Sequence, residues 1–322
     1  MILVLATEQD EHARAVIREI TALGGQAQLL DLADFPQRVH ISLRYAGPDR
    51  RFAFASPAGE RRRLAIDLAA CRSIWWRRPQ APVISDEISE ASHHLFATNE
   101  AHEALAGLWY ALDAYWINDP ARDQLAHRKV FQLRVAQDAG LPIPQTLITS
   151  DPHAAREFID EQAGMPVVFK AFSALPEEWR ETRLLGREEL SLLANVQYAP
   201  VIFQEYIEAT YDLRVTIVGD LIFPAAIYSQ ETSYKVDFRM DMANARVEAV
   251  ELPRSVQQRL RALMRRLGLV YGAIDMRRTP AGEHVFLEIN PAGQWLFIEQ
   301  HTGQQIAAEL ARQLVEHDTP AK

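Results

Sequence analysis

Cysteine is nearly absent, Cys71 being the single one in 322 residues. No intrachain disulfide can form, a stapled scaffold is excluded, and a reducing compartment fits. No apolar stretch approaches the ~20 residues that cross a bilayer. The apolar opening, 1–5, is followed by Glu8, Asp10 and Glu11, too short and too acidic behind for a secretory signal. Positive charge is also scarce: 34 Lys and Arg face 43 Asp and Glu, a net charge of −9. Such a surface gains no counterion-release energy from nucleic acid. These absences point to a soluble, cytoplasmic protein that binds neither nucleic acid nor membrane. The ten histidines show no metal-like spacing, no dinucleotide fingerprint follows the first strand, and no nucleophile elbow is visible.

What is present is a globular balance, 48% apolar and 24% charged, over a length that suits two or three packed units. Residues 2–5 read as a short buried strand, 13–23 as a helix ended by Gly24-Gly25, and 27–32 as a second strand. This is a parallel βαβ opening. Segments 51–55 and 64–68 alternate about a turn at Pro57-Ala58-Gly59-Glu60, as a hairpin does. A strand at 73–76 and a helix over 87–112 follow, and Asn118-Asp119-Pro120 signals a boundary. Beyond it a helix through Lys129 ends at Gly140, 142–148 reads as an edge strand, and Asp151-Pro152 starts a helix. Strands at 167–171 and 201–205 frame a small α+β unit. The remainder is strand-rich: 213–218 and 221–228 about Gly219-Asp220, a helix over 253–267, a hairpin over 270–289, and a last helix over 303–315. The expected units are 1–119, 120–203 and 204–322, of α/β and α+β class.

The segment 275–290 carries the densest chemistry. If Thr279 and His284 close its loop, Asp275 lies opposite Glu288. Side chains alternate along a strand, so Phe286, Glu288 and Asn290 share one face. Two carboxylates and an amide then meet on one patch. Like charges opposed in a sheet repel, and one carboxyl is driven toward its neutral form unless a cation lies between them. An all-oxygen set suits a hard ion such as Mg2+, which takes one or two carboxylates and adds substrate phosphates. Because the acids repel, removing either is expected to leave the fold intact. The alternative is a solvated ribbon whose acids pair with Arg277 or Arg278.

Lysine occurs at four positions, Lys129, Lys170, Lys235 and Lys322. Lys129 sits in a helix and Lys170 ends an apolar strand, where a lysine can hold a phosphate as a point charge; each alone also reads as a surface residue. Gln204-Glu205-Tyr206-Ile207 leaves a strand as a linker. Its backbone could bond an adenine edge while Tyr206 and Ile207 cover the ring faces, unless it is a plain connector. Asp212 and Arg214 share a strand face, and Arg239 follows in Asp237-Phe238-Arg239. Fixed arginines stabilise the charge that builds in phosphoryl transfer; exposed ion pairs are the competing reading. Arg77 and Arg78 end a strand, where ligands meet open α/β sheets, or else anchor a junction. Trp75 and Trp76 read as core.

This order of lysine, lysine, Glu-Tyr linker, Asp-x-Arg, Asp and Glu-x-Asn resembles the ATP-grasp superfamily. Longer stretches narrow it: Trp75-Trp76-Arg77-Arg78-Pro79, Phe169-Lys170-Ala171-Phe172, Tyr271-Gly272-Ala273-Ile274-Asp275, and Phe286 through Gly293-Gln294-Trp295. They look like the ligases that mature graspetides, the microviridin-type ribosomal peptides, over nearly the whole chain. The resemblance implies an ATP-grasp fold with an N-terminal βαβ pre-ATP-grasp domain, a small central α+β domain and a C-terminal antiparallel-sheet domain. It implies that Lys129 and Lys170 contact the phosphates of ATP, that Gln204, Glu205, Tyr206 and Ile207 hold adenine, and that Asp212 takes the ribose. Asp275, Glu288 and Asn290 would hold Mg2+, while Arg214 and Arg239 would meet the transferring phosphate or acyl-phosphate. Arg77 and Arg78 would meet the acidic core of a precursor peptide. One departure is the lid: family members often carry a glycine-rich one, whereas 173–185 contains no glycine, leaving closure to Ser173, Thr182 and Arg183.

The implied chemistry is ligation. A peptide Asp or Glu carboxylate attacks the γ-phosphate of ATP, giving an acyl-phosphate and ADP. A Thr or Ser hydroxyl or a Lys amine then displaces phosphate, closing an ester or amide. Positioning and charge neutralisation carry both steps, so no enzymic nucleophile is needed. The implied partners are a precursor peptide with leader and acidic core, and a second copy in a homodimer. Two other readings stand beside this one: a glutamate or amino-acid ligase acting on a protein tail or small molecule, and a nucleotide-binding protein without ligase activity.

Overall fold

The computed structural model describes residues 1–57, 64–172 and 181–318. Its first unit opens as expected with β1 (Ile2–Leu5), α1 (Glu11–Ala22) and β2 (Ala27–Leu30). Asp10 starts α1 by accepting a hydrogen bond from the Ala13 amide at 2.8 Å, satisfying a first-turn donor that has no partner inside the helix. Strands β3 (His40–Ala46), β4 (Asp49–Ala55) and β5 (Ala65–Asp67) form a separate antiparallel sheet. The expected turn at 58–60 lies outside the described residues. The sequence reading left out β3, although 40–45 alternates polar with apolar residues; nearly all of the strand is exposed. Next come β6 (Ser73–Trp76), α2 (Ala91–Ala111) and β7 (Tyr115–Ile117). The first sheet has the order β2-β1-β6-β7, parallel throughout.

The single helix expected through Lys129 is two, α3 (Pro120–Ala126) and α4 (Lys129–Asp138). They break at His127-Arg128, which puts Lys129 on the first turn of α4. The central sheet is built from β8 (Thr146–Thr149), β9 (Val167–Lys170), β10 (Arg183–Leu184) and β11 (Val201–Glu205), with α5 (Pro152–Glu161) and α6 (Arg187–Ser191) between them. Its order is β10-β9-β11-β8, so β8 is the edge strand the sequence suggested.

The third sheet is antiparallel, β14-β13-β12-β15-β16, from β12 (Tyr211–Val218), β13 (Leu221–Ile227), β14 (Val247–Ala249), β15 (Tyr271–Arg278) and β16 (His284–Asn290). Helix α7 (Arg254–Leu267) lays Val256, Leu260, Leu263 and Leu267 against one face, onto Leu213, Val215, Ile274, Met276 and Phe286. Each such side chain contributes about 2 kcal/mol by leaving water. The opposite face carries Asp212, Arg214, Asp275 and Glu288. The last expected helix is α9 (Ile306–Asp318); a short helix that the sequence reading left out, α8 (Leu296–Thr302), precedes it and ends at Gly303 with φ 71°. Helix α9 turns back onto α1 and strands β1, β6 and β7, joining Ile306, Leu310 and Leu314 to Ile2, Val4, Val16 and Ile20. Among the described residues no helix is long and apolar enough to cross a membrane.

The β15–β16 ribbon corrects one expectation and rescues another. Arg278 pairs with His284 and Met276 with Phe286, yet Asp275 pairs with Glu288. Leu287 is the extra residue of a β-bulge. The loop therefore closes on Arg278 and His284, not Thr279 and His284, and the bulge restores the opposition of the two acids. It also breaks the alternation: Phe286 turns into the core with Met276 and Ile289, not onto the face of Glu288.

Candidate active site

A cleft lies between the central and third sheets, lined by Val168, Lys170, Gln204, Glu205, Tyr206, Ile207, Asp212, Asp237, Arg239, Asp275, Arg277 and Glu288. The strands fix this convergence. β9 delivers Lys170 at its end, β11 runs out into 204–207, and β12 and β15 place Arg214 directly across from Asp275.

Neither acid of the ribbon is left facing the other uncompensated. Arg214 Nη1 donates to Asp275 Oδ1 at 2.6 Å, and its Nη2 donates to the Gln294 carbonyl at 2.9 Å. Lys129 Nζ donates to Glu288 Oε2 at 2.5 Å. Burial pushes the Asp275 carboxyl above its usual range, with Arg214 opposing. Burial also pushes Glu288 upward, but Lys129 and then Lys170 outweigh it and hold that carboxyl below its ordinary value. Lys170 is driven downward, first by burial, while Glu288 opposes and Lys129 adds to the fall. The alternative pairing of the acids with Arg277 or Arg278 does not form; removing either acid was expected to leave the fold intact, but loss of Asp275 would deprive the buried Arg214 of its carboxylate partner.

Arg277 holds Asp212 instead, Nε to Oδ1 at 2.8 Å, and Ser229 Oγ donates to the other oxygen of Asp212. Both oxygens of the proposed ribose residue therefore already accept a hydrogen bond. Burial raises the Asp212 carboxyl, with Arg277 opposing. In the linker, Gln204 Nε2 donates to Thr146 Oγ1 at 2.9 Å, Glu205 accepts from the Gln145 amide at 3.0 Å, and the Tyr206 ring lies 4.9 Å from the Arg277 guanidinium. Arg239 grips Asp237 through Nε at 2.7 Å and Nη2 at 2.5 Å. Thr182 donates its amide to the same Asp237 at 3.3 Å. Ser173 of the expected lid lies outside the described residues.

The two N-terminal arginines part company. Arg77 is buried and not in the cleft: its Nη1 donates to the carbonyls of Ala292 at 2.7 Å and Gly293 at 3.0 Å, and its Nε to Asp10. That is the junction-anchor alternative. Arg78, at φ 75°, is exposed and donates to Ala292 as well. It lines a second, broader cavity of about 800 Å³ together with Trp76, Trp109, His127, Arg128 and Asn290. Asn290 thus stands two rungs beyond the acids, opposite Ala273 and at the border of that cavity, its Oδ1 accepting from the Ala292 amide at 2.9 Å.

Among the described residues no group of three or more His, Cys, Asp or Glu is placed to hold a metal ion. Two acids and an amide instead fit a hard cation that draws its remaining oxygens from a bound phosphate. Arg214 Nε is buried without a hydrogen-bond partner among the described residues, a charged donor still uncommitted beside the acids. Sequence reasoning missed His12, Asn118 and Arg277. Asn118 was legible only as a turn residue, yet its side chain joins Val270, Tyr271 and Pro291. His12 accepts from the Trp295 amide at 3.1 Å, and burial, then Arg77, pushes its pKa down to about 3. No local pattern announces either contact, since the partners lie more than a hundred residues away.

Residues 1–124 match the MvdD pre-ATP grasp domain and residues 126–314 the RimK-like ATP-grasp domain. The chain belongs to the RimK-like ATP-grasp family and is an ADP-forming ligase. Its whole-chain architecture is that of the graspetide-type maturases. It superposes on the macrocyclase MdnC of Microcystis aeruginosa MRC, solved with precursor peptide MdnA, with TM-score 0.85 and 29% identity over 98% of each chain. A Chryseobacterium gregarium RiPP-associated ATP-grasp ligase, solved with ADP and a leader and core peptide, gives TM-score 0.88 at 24% identity over 100% of this chain and 99% of that one, a likeness of fold. The ribosomal protein bS6–L-glutamate ligase of Escherichia fergusonii is 25% identical over 216 residues, 65% of this chain and 70% of the relative.

Proposed function

We propose that this chain uses ATP and Mg2+ to activate Asp or Glu side chains of a ribosomal precursor peptide as acyl-phosphates, and joins them to Thr or Ser hydroxyls or Lys amines. The observation that carries the reading is the ribbon of opposed acids, each clasped by a base, in a cleft that also gathers Lys170, the 204–207 linker and Arg239. Asp275, Glu288 and Asn290 would hold the ion, which when bound neutralises phosphate charge. Lys129 and Lys170 would orient the phosphates, Gln204 to Ile207 the adenine, and Asp212 the ribose side. Arg214 and Arg239 would face charge that builds on the transferring phosphoryl group. The peptide carboxylate oxygen bonds the γ-phosphorus as the bond to ADP breaks. A hydroxyl or amine then bonds the acyl carbon, phosphate leaves with its bonding electrons, and the nucleophile's proton passes to phosphate or solvent.

Arg78, with the Trp76 and Trp109 wall, would receive the acidic peptide core, and Arg77 would act behind it through Ala292 and Gly293. The units proposed are 1–119, 120–203 and 204–322, assembled as a cytoplasmic homodimer. Co-expression with a candidate precursor, read by intact mass, tests the function. Loss of one water per new bond supports ring closure. Gain of glutamate residues instead supports the second reading, a glutamate ligase, which the bS6-ligase relative favours. An unchanged peptide mass with no ADP release would sink both.

A further inference from the structure

We propose that Arg277 is the positioning residue of the nucleotide pocket, fixing the adenine linker against the wall segment that carries Asp237 and Arg239. This rests on the nucleotide reading above. Arg277 is 3% exposed, and its guanidinium serves three chain segments at once. Nε meets Asp212 on β12 at 2.8 Å, Nη1 meets the Ile207 carbonyl at 2.8 Å, and Nη2 meets the carbonyls of Lys235 and Val236 at 2.9 Å each. Residues 206–210 and 232–237 belong to no strand or helix, so their separation is set by side-chain contacts and not by a ladder. The Tyr206 ring covers the guanidinium from the linker side.

Beyond Val236 the wall continues to Asp237, which holds Arg239 and accepts from Thr182, while the Tyr234 hydroxyl donates to the Thr182 carbonyl at 3.2 Å. This fork, helped by the Tyr206 hydroxyl that donates to the Lys235 carbonyl at 3.5 Å, sets the distance from the linker to the wall and, through Asp237, the place of Arg239. A lysine could keep the charge beside Asp212, but a single ammonium on a flexible stem cannot span both irregular segments as a planar fork does.

The test is Arg277→Lys, read by calorimetry with MgADP and by hydrogen exchange. We expect the MgADP dissociation constant to rise about tenfold. Amides of 206–210 and 232–239 should together lose the protection that MgADP gives them in the wild type, while the β12–β15 ladder keeps its own. Equal loosening of that ladder, or a folded variant that binds MgADP within about twofold of wild type, overturns the proposal. Should the lysine variant not fold, Asp212→Asn/Arg277→Gln removes both buried charges together and is read the same way. A wild-type chain that binds no MgADP removes the nucleotide reading and this proposal with it. A wild type that binds and a variant that binds equally well remove only the role of Arg277.

Discussion

Asp275 and Glu288 face each other across one rung of a single ribbon, yet they are held in opposite ways. The Asp275 side chain is 11% exposed, that of its partner Arg214 9%, and the second nitrogen of that guanidinium is bonded to a loop carbonyl. Glu288 is met by one ammonium at the start of a helix, with both side chains 21% exposed. The first pair is a joint of the fold; the second is a contact that can be exchanged. Identical chemistry thus takes different roles according to burial and to whether the partner is a fork or a point charge.

The sharpest way to break this comparison is Asp275→Ala. Leaving Arg214 buried and unpaired should cost about 3–5 kcal/mol, read as a fall in the denaturation midpoint together with loss of ADP release. Asp275→Asn, which keeps the shape and a hydrogen bond, should recover much of the stability and none of the turnover. Arg239→Ala tests the phosphate end: turnover should fall about a hundredfold, while ATP affinity, measured by calorimetry, changes far less. Equal losses would reduce Arg239 to a binding group.

The joint also carries an acid sensitivity through His12. Its folded pKa is lowered to about 3, by burial and then Arg77, so the neutral ring is favoured and its stabilisation is complete above the unfolded value near 6.5. As pH falls toward 3 that stabilisation is lost, by about 2 kcal/mol at pH 5. Denaturation curves of His12→Gln should lack this part of the slope; an unchanged slope would refute the assignment. The smallest effect belongs to Glu288→Gln, which should stop ADP release yet change stability by about 1 kcal/mol or less, Lys129 being partly solvated. A loss as large as that of Asp275→Ala would erase the distinction between the two acids.

Periodicity and turn residues made the βαβ opening, the antiparallel C-terminal sheet and the opposition of Asp275 and Glu288 legible in advance. The opposition was reached through a wrong loop closure that a bulge at Leu287 happens to offset; the only trace of the bulge in the sequence is the unbroken apolar run Val285-Phe286-Leu287. The helix break at His127-Arg128 was hidden because apolar spacing continues across it. The partners of the acids were out of reach for a different reason. Arg214 and Lys129 lie 61 and 159 residues away from them, and only the register of β12 on β15 and the placement of α4 bring them in. Arg277 was visible as a neighbour of the acids, whereas its real contacts, Asp212 and three carbonyls, exist only after three segments have met.

Helix α9 has a consequence for synthesis. It supplies Ile306, Leu310 and Leu314 to the same apolar layer as Ile2, Val4, Val16 and Ile20, so these opening strands are roofed by a helix made long after them. While translation proceeds, that flank of the opening strands stays wet and adhesive. A nascent chain with an uncovered apolar surface is a natural client for a holding chaperone until its roof arrives.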